Sequence, residues 1–252
     1  MRLTTWNCKG AFSRKHSSVA ALKPDVLVVP EAEKLTAVQN VIGGLPLRSH
    51  YWVGDNKKKG LAVLSYGNYS LRVHEAYDPR HRWILPIVVD GPEPFTLFAV
   101  WTVPHHETRS YVSCLFDALK TYRTILQAER VIWAGDFNQS TLFNSAADPL
   151  HFSHWLSKAA EFGLQSLYHL KLVCNHGCEP DKTFFLYHNI SKAHHIDYIF
   201  AKSDIYEKGF DLVVGEHGSW AKLSDHMPIT LTTALNHLGP NESAESNRSI
   251  AV

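Results

Sequence analysis

Short apolar runs separated by polar turns make up most of the chain. They predict strands over residues 2–6, 26–30, 61–65, 70–76, 83–89, 96–101, 130–134, 196–201, 210–214 and 228–233. From 61 to 101 these runs follow one another directly, with Gly67-Asn68 and Asp90-Gly91-Pro92 as turn signals, which is typical of consecutive antiparallel strands. The beginning of the chain and the region 111–134 have a strand–helix–strand pattern instead.

Four amphipathic segments predict helices, over residues 13–22, 33–42, 111–127 and 149–161. In the third of these, apolar side chains recur at helical spacing from Leu115 to Leu126. Asp148-Pro149 has the residue types expected of an N-cap and a first helical turn. Because strands outnumber helices, we predict an α/β (α+β) chain with a mixed sheet, or two packed sheets, flanked by helices.

The composition is that of an ordinary globular protein, and it narrows the function only slightly. The chain has 252 residues, 45% of them apolar and 19% charged, which fits one large domain. The net charge of +1 lacks the excess of positive charge expected of a tight, non-specific nucleic-acid binder, although it is compatible with a local basic groove. The four Cys residues are too few and too irregularly spaced for a disulfide scaffold.

The two ends of the chain lead to further expectations. No positively charged segment followed by an apolar segment precedes the strand predicted at residues 2–6, and no apolar run approaches 18 residues. We therefore expect a soluble cytoplasmic protein without a membrane span, and a monomer. Residues 236–252 are mostly polar and predict a disordered tail, which leaves residues 1–235 for the folded domain.

Polar side chains cluster in sequence at the ends of the apolar runs. Asn7 follows the first predicted strand, Glu31 the second, and Asp136 and Asn138 follow the strand at 130–134. Taken singly, each of these residues is more typical of a turn or a helix cap than of a functional site. Ligands bind at strand ends in α/β sheets, so the recurrence of this arrangement predicts a shared site.

Asp197 lies within an apolar strand, where an unpaired charge would be very costly. His226, which precedes the last strand, is the candidate partner. The pair is interpreted either as a structural hydrogen bond or as an oriented imidazole that stabilises or transfers a proton.

Glu31, Asp136 and Asp225 are hard oxygen ligands of the kind that Mg²⁺ or Mn²⁺ prefers. Asn7 and Asn138 can hydrogen-bond a phosphate oxygen or a water without adding negative charge. Together with a supported His226, this set matches metal-assisted phosphoester hydrolysis.

The ordered motifs resemble those of the endonuclease/exonuclease/phosphatase superfamily, which includes DNase I and exonuclease III. The matching pieces are Trp6-Asn7, Pro24-Asp25-Val26 through Glu31, Gly135-Asp136-Phe137-Asn138, His195-Ile196-Asp197-Tyr198-Ile199 and Ser224-Asp225-His226-Met227-Pro228. The resemblance implies a four-layer α/β/β/α sandwich with two mixed sheets packed face to face. It also implies a phosphoester hydrolase that uses a divalent metal, Mg²⁺ or Mn²⁺.

The resemblance also implies roles for the site residues. Glu31 would bind the metal with Asn7 beside it, and Asp225 would be a further metal ligand or a support for one. Asp136 would orient or deprotonate the attacking water, and Asn138 would hold the phosphate or the water. His226, oriented by Asp197, would contact the scissile phosphate.

Two positions depart from the family pattern. Pro30 replaces the Gln that many members have before the metal-binding Glu. Thr102 occupies the position after the strand at 96–101 where many members have a phosphate-contacting His or Tyr, and we expect His105 or Tyr111 to replace that group.

The substrate stays open between classes. Gly-Asp-Phe-Asn is frequent among the family's nucleases, and Tyr198 after Asp197 disfavours the inositol phosphatases, which have Arg there. The favoured substrate is therefore nucleic acid, with DNA first and endo- or exonuclease action both open. A small or lipid phosphoester is the alternative, and a non-catalytic protein with a relic site is a third hypothesis.

Basic residues that could contact phosphate occur in several segments. Arg80 and Arg82, close to Trp83, are the best placed, because Arg beside an aromatic ring can hold phosphate and stack a base. Lys57-Lys58-Lys59 is interpreted as a solvated hairpin loop or as a phosphate-tracking loop. The other candidates are Lys9, Arg14, Lys15 and Arg109.

Cys174-Asn175-His176-Gly177-Cys178 supplies three potential zinc ligands, whereas a structural zinc site needs four. We therefore expect a loop with ordinary thiols, or a local disulfide if the protein is exported.

Overall fold

The structure is a computed structural model, and it describes residues 1–35, 41–42, 45–104 and 110–233. The strands of the described part are β1 (Arg2–Thr5), β2 (Val26–Ala32), β3 (Val41–Ile42), β4 (Leu45–Asn56), β5 (Lys59–Tyr66), β6 (Ser70–Val73), β7 (Ile84–Asp90), β8 (Phe95–Trp101), β9 (Val131–Asp136), β10 (Gln165–Ser166), β11 (Phe184–Phe185), β12 (Ala193–His194), β13 (Asp197–Ala201), β14 (Phe210–Val214) and β15 (Ile229–Thr233).

Helices are fewer and mostly short. The α-helices are α1 (His16–Ala20), α2 (Tyr111–Thr121), α3 (Arg123–Ala128), α4 (Phe152–Glu161), α5 (Leu167–Leu172), α6 (Ser203–Tyr206) and α7 (His217–Trp220). Short 3₁₀ helices cover Phe12–Arg14, Pro79–His81, Leu186–His188 and Ile190–Lys192. Among the helices that the structure describes, none is both long and apolar enough to cross a bilayer.

The strands form two large mixed sheets. In the first sheet the strand order is β14-β15-β1-β2-β5-β4-β3, and in the second it is β10-β13-β9-β8-β7-β6. Each sheet contains a parallel pair, β1 with β2 and β8 with β9, whereas the pairs around them are antiparallel. The predicted strand–helix–strand units are present, and β6, β7 and β8 are consecutive antiparallel strands as predicted. The turn at Gly67-Asn68 does not join a hairpin, because β5 and β6 belong to different sheets.

The two sheets pack face to face. Val26, Val28 and Val63 of the first sheet share a core with Leu97 and Ile132 of the second, and all five are fully buried. Successive side chains of a strand point to opposite faces. The residues between those of the central core therefore point to the outer faces of the two sheets.

Helices cover both outer faces. On the second sheet, Trp133 and Phe200 pack with Leu115 of α2 and Trp155 of α4. On the first sheet, Leu27 and Val29 lie in a cluster with Val19 of α1 and Trp220 of α7. The result is the predicted four-layer α/β/β/α sandwich with two mixed sheets.

Some predicted elements are wrong in detail. β4 was not predicted, because Arg48, Ser49 and His50 interrupt its apolar positions and it lies next to the edge strand β3, where half-exposed side chains are tolerated. The helix predicted over 33–42 is contradicted at Val41–Ile42, which is a strand, and residues 36–40 lie outside the described residues. The tail at 236–252 also lies outside them.

Two helix predictions also need correction. The segment 111–127 is divided at Tyr122, which ends α2 and precedes α3. The N-cap of α4 is His151, whose side chain accepts from the Ser153 N–H, and not Asp148. Asp148 instead accepts from the Leu150 N–H at 2.8 Å and closes a turn before the helix.

Candidate active site

The topology brings six strand ends to one edge of the sandwich. Because β1 runs parallel to β2 and β8 parallel to β9, their C-terminal ends lie side by side in each sheet. The antiparallel strands β13 and β15 begin at the same edge. In the register of β13 with β9, Asp197 lies directly opposite Asp136. Seven residues from six separate segments of the chain therefore converge: Asn7, Glu31, Thr102, Asp136, Asn138, Asp197 and His226.

Asp136 is the centre of this hydrogen-bond network. Its Oδ2 accepts from Asn7 Nδ2 at 2.9 Å and from Asn138 Nδ2 at 3.1 Å, and its Oδ1 accepts from the Asn138 N–H at 2.9 Å. Asn7 Nδ2 also lies 3.4 Å from Glu31 Oε1. Asp136 and Asn7 are almost fully buried. The carboxylate is therefore held in one orientation by donors from two strand ends.

Gly135 allows β9 to reach this position. Its φ is +150°, and a Cβ atom built there would lie 1.8 Å from the carbonyl oxygen of Val100 on the neighbouring strand. Asn138 has a left-handed φ of +50°, which turns its side chain back toward Asp136. Phe137, which lies between them in the sequence, is fully buried against the rings of Trp155 and Tyr198 on the helix-covered face of the second sheet.

We expect Gly135→Ala to lower the free energy of unfolding by about 3 kcal/mol, because the methyl group overlaps backbone atoms that cannot move independently. Chemical denaturation measures the change. Gly218→Ala is the matched control, since a Cβ at Gly218 meets nothing within 4 Å. Equal stability of the two variants would contradict the close strand approach.

Thr102 occupies the position where many family members have a phosphate-contacting His or Tyr, but its side chain is used inside the protein. It is fully buried, and its Oγ1 donates to the Phe137 carbonyl at 2.5 Å. Its N–H donates to the Asp136 carbonyl at 3.0 Å, and its own carbonyl accepts from Asn138 Nδ2 at 3.2 Å. Thr102 thus fastens the end of β8 to the Gly-Asp-Phe-Asn motif.

Thr102→Val replaces the hydroxyl with a methyl of the same shape and leaves the Phe137 carbonyl without its donor. We expect a loss of about 1–3 kcal/mol of stability, measured by thermal or chemical unfolding. Thr102→Ser keeps the hydroxyl and should lose much less. A Val variant as stable as the Ser variant would show that this hydrogen bond has no structural role.

The interaction proposed between Asp197 and His226 is present. His226 Nδ1 lies 2.9 Å from Asp197 Oδ2, and both side chains are buried. Thr183 Oγ1 accepts from the N–H groups of both Ile196 and Asp197 at 3.0 Å, which fixes the start of β13. Trp6 Nε1 donates to the His226 carbonyl at 3.0 Å, so the residue before Asn7 also holds the His226 backbone.

Burial and like charges shift the pKa values in this site. Burial, followed by the nearby charge of Asp197, raises the pKa of Asp136 to about 7. Burial alone would lower the pKa of His226, but the charges of Asp197 and Asp136 outweigh it and raise that pKa to about 9. The two neighbouring carboxylates therefore favour the positively charged form of the His226 imidazole, which suits contact with an anionic phosphate.

Glu31 and Asp225 lie at the more open side of the site, and each is paired with a lysine. Glu31 Oε2 is 2.5 Å from Lys59 Nζ, and Asp225 Oδ2 is 2.6 Å from Lys9 Nζ. Glu31 has a left-handed φ of +60° within an irregular part of the β2–β5 pairing, which turns its side chain toward Asn7.

The donor set fits a hard divalent cation. Glu31 and Asp225 offer carboxylate oxygens, which are the ligands that Mg²⁺ and Mn²⁺ prefer. Asn7 turns its amide nitrogen toward Glu31, and its amide oxygen accepts from the Lys9 N–H at 3.0 Å. In the structure, a lysine ammonium group already lies against each of the two carboxylates and supplies the positive charge that a cation would supply. Both lysine side chains are about half exposed, so each can move into solvent when a cation binds.

The structure describes three of the four predicted substrate-contacting residues. Arg80 is in the 3₁₀ helix Pro79–His81, forms an ion pair with Asp78 and lines a small crevice with Thr102. Arg82 pairs with Asp55 and stacks over the Trp83 ring at 5.6 Å. Tyr111, the first residue of α2, is 41% exposed. His105 and Arg109 lie outside the described residues.

The remaining basic candidates are not equivalent. Lys15 Nζ donates to the Cys8 carbonyl at 2.6 Å and so supports the backbone beside Asn7. Lys57 and Lys58 form the turn between β4 and β5, whereas Lys59 reaches Glu31. Arg14 is exposed at the end of the first 3₁₀ helix.

Sequence reasoning missed the residues that position others. Thr183 and Ser224 belong to this group: the Ser224 hydroxyl donates to the Asn7 carbonyl at 2.8 Å. Lys59 was considered only as part of a basic loop. The position of Ser224 directly before the Asp-His motif could have indicated its role, but no pattern in the sequence marks Thr183.

Comparison with known proteins agrees with this fold. The model of the Endonuclease/Exonuclease/phosphatase family matches residues 4–226, and the chain belongs to this family. Members of the family hydrolyse phosphoester bonds. No curated protein sequence matches the chain.

Solved structures of the same fold share little sequence with the chain. The 3'-5' exonuclease NExo from Neisseria meningitidis superimposes with a TM-score of 0.67 at 17% identity, over 92% of this chain and 99% of that one. An AP endonuclease from Archaeoglobus fulgidus gives a TM-score of 0.67 at 19% identity, over 92% and 99%. Truncated TDP2 from Caenorhabditis elegans gives 0.60 at 14% identity, over 91% and 95%.

Proposed function

We propose that the protein is a divalent-metal-dependent phosphodiesterase that cleaves nucleic acid, with DNA as the favoured substrate. The observation that carries the proposal is the position of Asp136. Its carboxylate is hydrogen-bonded to Asn7, which contacts Glu31, and it lies opposite Asp197, which holds His226. A cation site and a cationic imidazole thus flank one buried acid, as hydrolysis of an anionic ester requires.

Glu31 and Asp225, with Asn7 beside them, would hold Mg²⁺ or Mn²⁺. The ion, when bound, supplies positive charge to a phosphate oxygen and lowers the pKa of water. Lys9 and Lys59 now pair with these two carboxylates and would have to turn toward solvent to leave them free for the ion.

Asp136 orients the attacking water and accepts its proton, because its carboxylate has acceptor capacity beyond the bonds from Asn7 and Asn138. Asn138 fixes the Asp136 carboxylate and can hold the water or the phosphate. His226 contacts the phosphate, and Asp197 keeps the imidazole oriented and positively charged.

DNA is favoured by the proteins of the same fold and by the rim of the site. NExo is a 3'-5' exonuclease, another structure of NExo is bound to a product DNA hairpin, and the Archaeoglobus protein is an AP endonuclease. Arg82, stacked on Trp83, and Arg80 can contact a phosphodiester backbone near the reacting group. We propose a monomeric catalytic domain over residues 1–235 acting on this substrate.

The test is a substrate panel. We expect purified protein with Mg²⁺ or Mn²⁺ to cleave at least one of single-stranded, duplex, nicked, abasic or 3'-phosphorylated DNA. Nucleotides, sugar phosphates and phospholipids form the second arm. Turnover confined to that arm would replace the DNA assignment with a small or lipid phosphoester, the alternative that the near-neutral net charge favours.

Glu31→Gln tests the proposed cation site directly. The amide keeps the size of the side chain but removes its charge, so we expect Mg²⁺ or Mn²⁺ affinity to fall by about tenfold or more in calorimetric titration. Glu207→Gln, an exposed acid after α6, is the matched control and should leave affinity unchanged. Unaltered affinity in Glu31→Gln would exclude Glu31 as a ligand.

A further inference from the structure

A second group of ligand-type side chains lies outside the catalytic residues. His169 of α5 and His176 and Glu179 of the following loop have ligating atoms that all lie within 4.8 Å of one another. They belong to the segment between α5 and β11, and none of them contacts the side chains of Asn7, Glu31, Asp136 or His226 within the described residues.

The carboxylate in this group is buried. Glu179 is 3% exposed, and its Oε1 accepts from the Gly177 N–H at 2.9 Å and lies 3.1 Å from His169 Nε2. Its other oxygen, Oε2, is buried and has no hydrogen-bond partner among the described residues. His176 Nδ1 is also buried and also has no hydrogen-bond partner among the described residues. Unsatisfied buried groups of this kind are rare in folded proteins, so each needs an explanation.

A third imidazole, that of His195, lies next to the group. His195 is 1% exposed, and its Nδ1 donates to the Asp181 carbonyl at 2.9 Å. The neutral ring then has its lone pair on Nε2, which is buried and lacks a partner within the described part of the chain. The His195 and His169 rings lie 6.0 Å apart between their centroids.

Hydrogen bonds behind the rings orient them. His169 Nδ1 lies 2.7 Å from Ser166 Oγ, just as His195 Nδ1 is fixed by a backbone carbonyl. Metal-binding histidines almost always have such an outer hydrogen bond on the nitrogen that does not bind the metal. A proton on His169 Nε2 would satisfy one contact with Glu179 but would leave Glu179 Oε2, His176 and His195 unpaired.

We propose that His169, His176 and Glu179 bind a Zn²⁺ ion, with His195 as the fourth ligand. Imidazole and carboxylate are established zinc ligands, and zinc–ligand bonds of about 2.0–2.2 Å place neighbouring ligand atoms within about 3.5 Å. The ligating atoms of His169, His176 and Glu179, now within 4.8 Å of one another, would have to move closer by roughly an ångström, and His195 would have to turn toward them. Imidazole-rich sites select zinc over Mg²⁺, so this ion differs in kind from the one at Glu31.

The site has a clear structural consequence. The ion would join α5, the 173–183 loop and the start of β13, and that loop ends at Thr183, which holds the N–H of Asp197. Cys174 and Cys178, which suggested zinc in the sequence, are free thiols outside this ligand group, and Cys178 is exposed.

The experiment measures metal content by elemental analysis of the full chain after loading with Zn²⁺ and passage over a chelating resin. We expect about one Zn²⁺ per chain to be retained, and His176→Gln and Glu179→Gln to retain at least about tenfold less. His154→Gln, an exposed histidine of α4, is the matched control and should retain zinc as the parent does. Glu31→Gln should also retain it, which separates this ion from the proposed catalytic one.

Parent protein that retains no zinc, or His176→Gln and Glu179→Gln variants that retain as much as the parent, would overturn the proposal. If the variants do not fold, zinc X-ray absorption on the parent protein decides. A shell of nitrogen and oxygen with at least two imidazoles supports the site, whereas a sulfur-containing shell or one without imidazole overturns it.

Discussion

Asp136→Asn is expected to lower kcat/KM for phosphoester hydrolysis by about 10²–10⁴-fold, because the amide cannot accept a proton from the attacking water. The substitution keeps the size of the side chain. Both Asp136 oxygens accept hydrogen bonds, so an amide satisfies only one side of the network. Removal of a buried negative charge opposite Asp197 offsets that loss, and the fold should be retained.

The measurement is steady-state turnover of whichever substrate the panel identifies, with circular dichroism to verify folding. Asp211→Asn is the matched control, since Asp211 is mostly exposed on β14 and should leave turnover unchanged. A folded Asp136→Asn protein with parental kcat/KM would remove Asp136 from the reaction.

His226→Gln is expected to lower kcat by about 10²–10³-fold, because the neutral amide cannot place positive charge on the phosphate during the reaction. The effect should be larger on kcat than on KM, since charge on the phosphate grows in the transition state. His154→Gln serves as the control for a histidine outside the site. A loss confined to KM would mean that His226 binds the ground state only.

Much of the site could be predicted from the sequence because its residues follow strand ends. Glu31 and Asp136 each come after an apolar run and Asn7 after a strand of mixed polarity, and parallel neighbours bring such ends together. Asp197 could be paired with His226 because a carboxylate inside an apolar strand needs a partner. The alternation of runs and turns left one mixed sheet or two packed sheets open, and the resemblance to the family implied two.

Other features depend on tertiary contacts that leave no local pattern. Thr102 was noted only as a departure from the family pattern after β8, and nothing in the sequence indicated that its hydroxyl fastens β8 to the Phe137 carbonyl. β4 was missed because a strand near a sheet edge tolerates polar positions. The proposed zinc ligands are spread from His169 to His195 without a regular spacing, and the zinc-like spacing in this region belongs to Cys174 and Cys178, which are free thiols.

The most direct test of the central claim is metal-dependent cleavage by the parent protein and by Asp136→Asn, assayed side by side on the DNA panel with Mg²⁺, with Mn²⁺ and after chelation. We expect the parent protein to cleave DNA only when the cation is present, and we expect Asp136→Asn to lose this cleavage. Cleavage that survives both chelation and Asp136→Asn, or intact DNA and intact small phosphoesters in every condition, would contradict the claim.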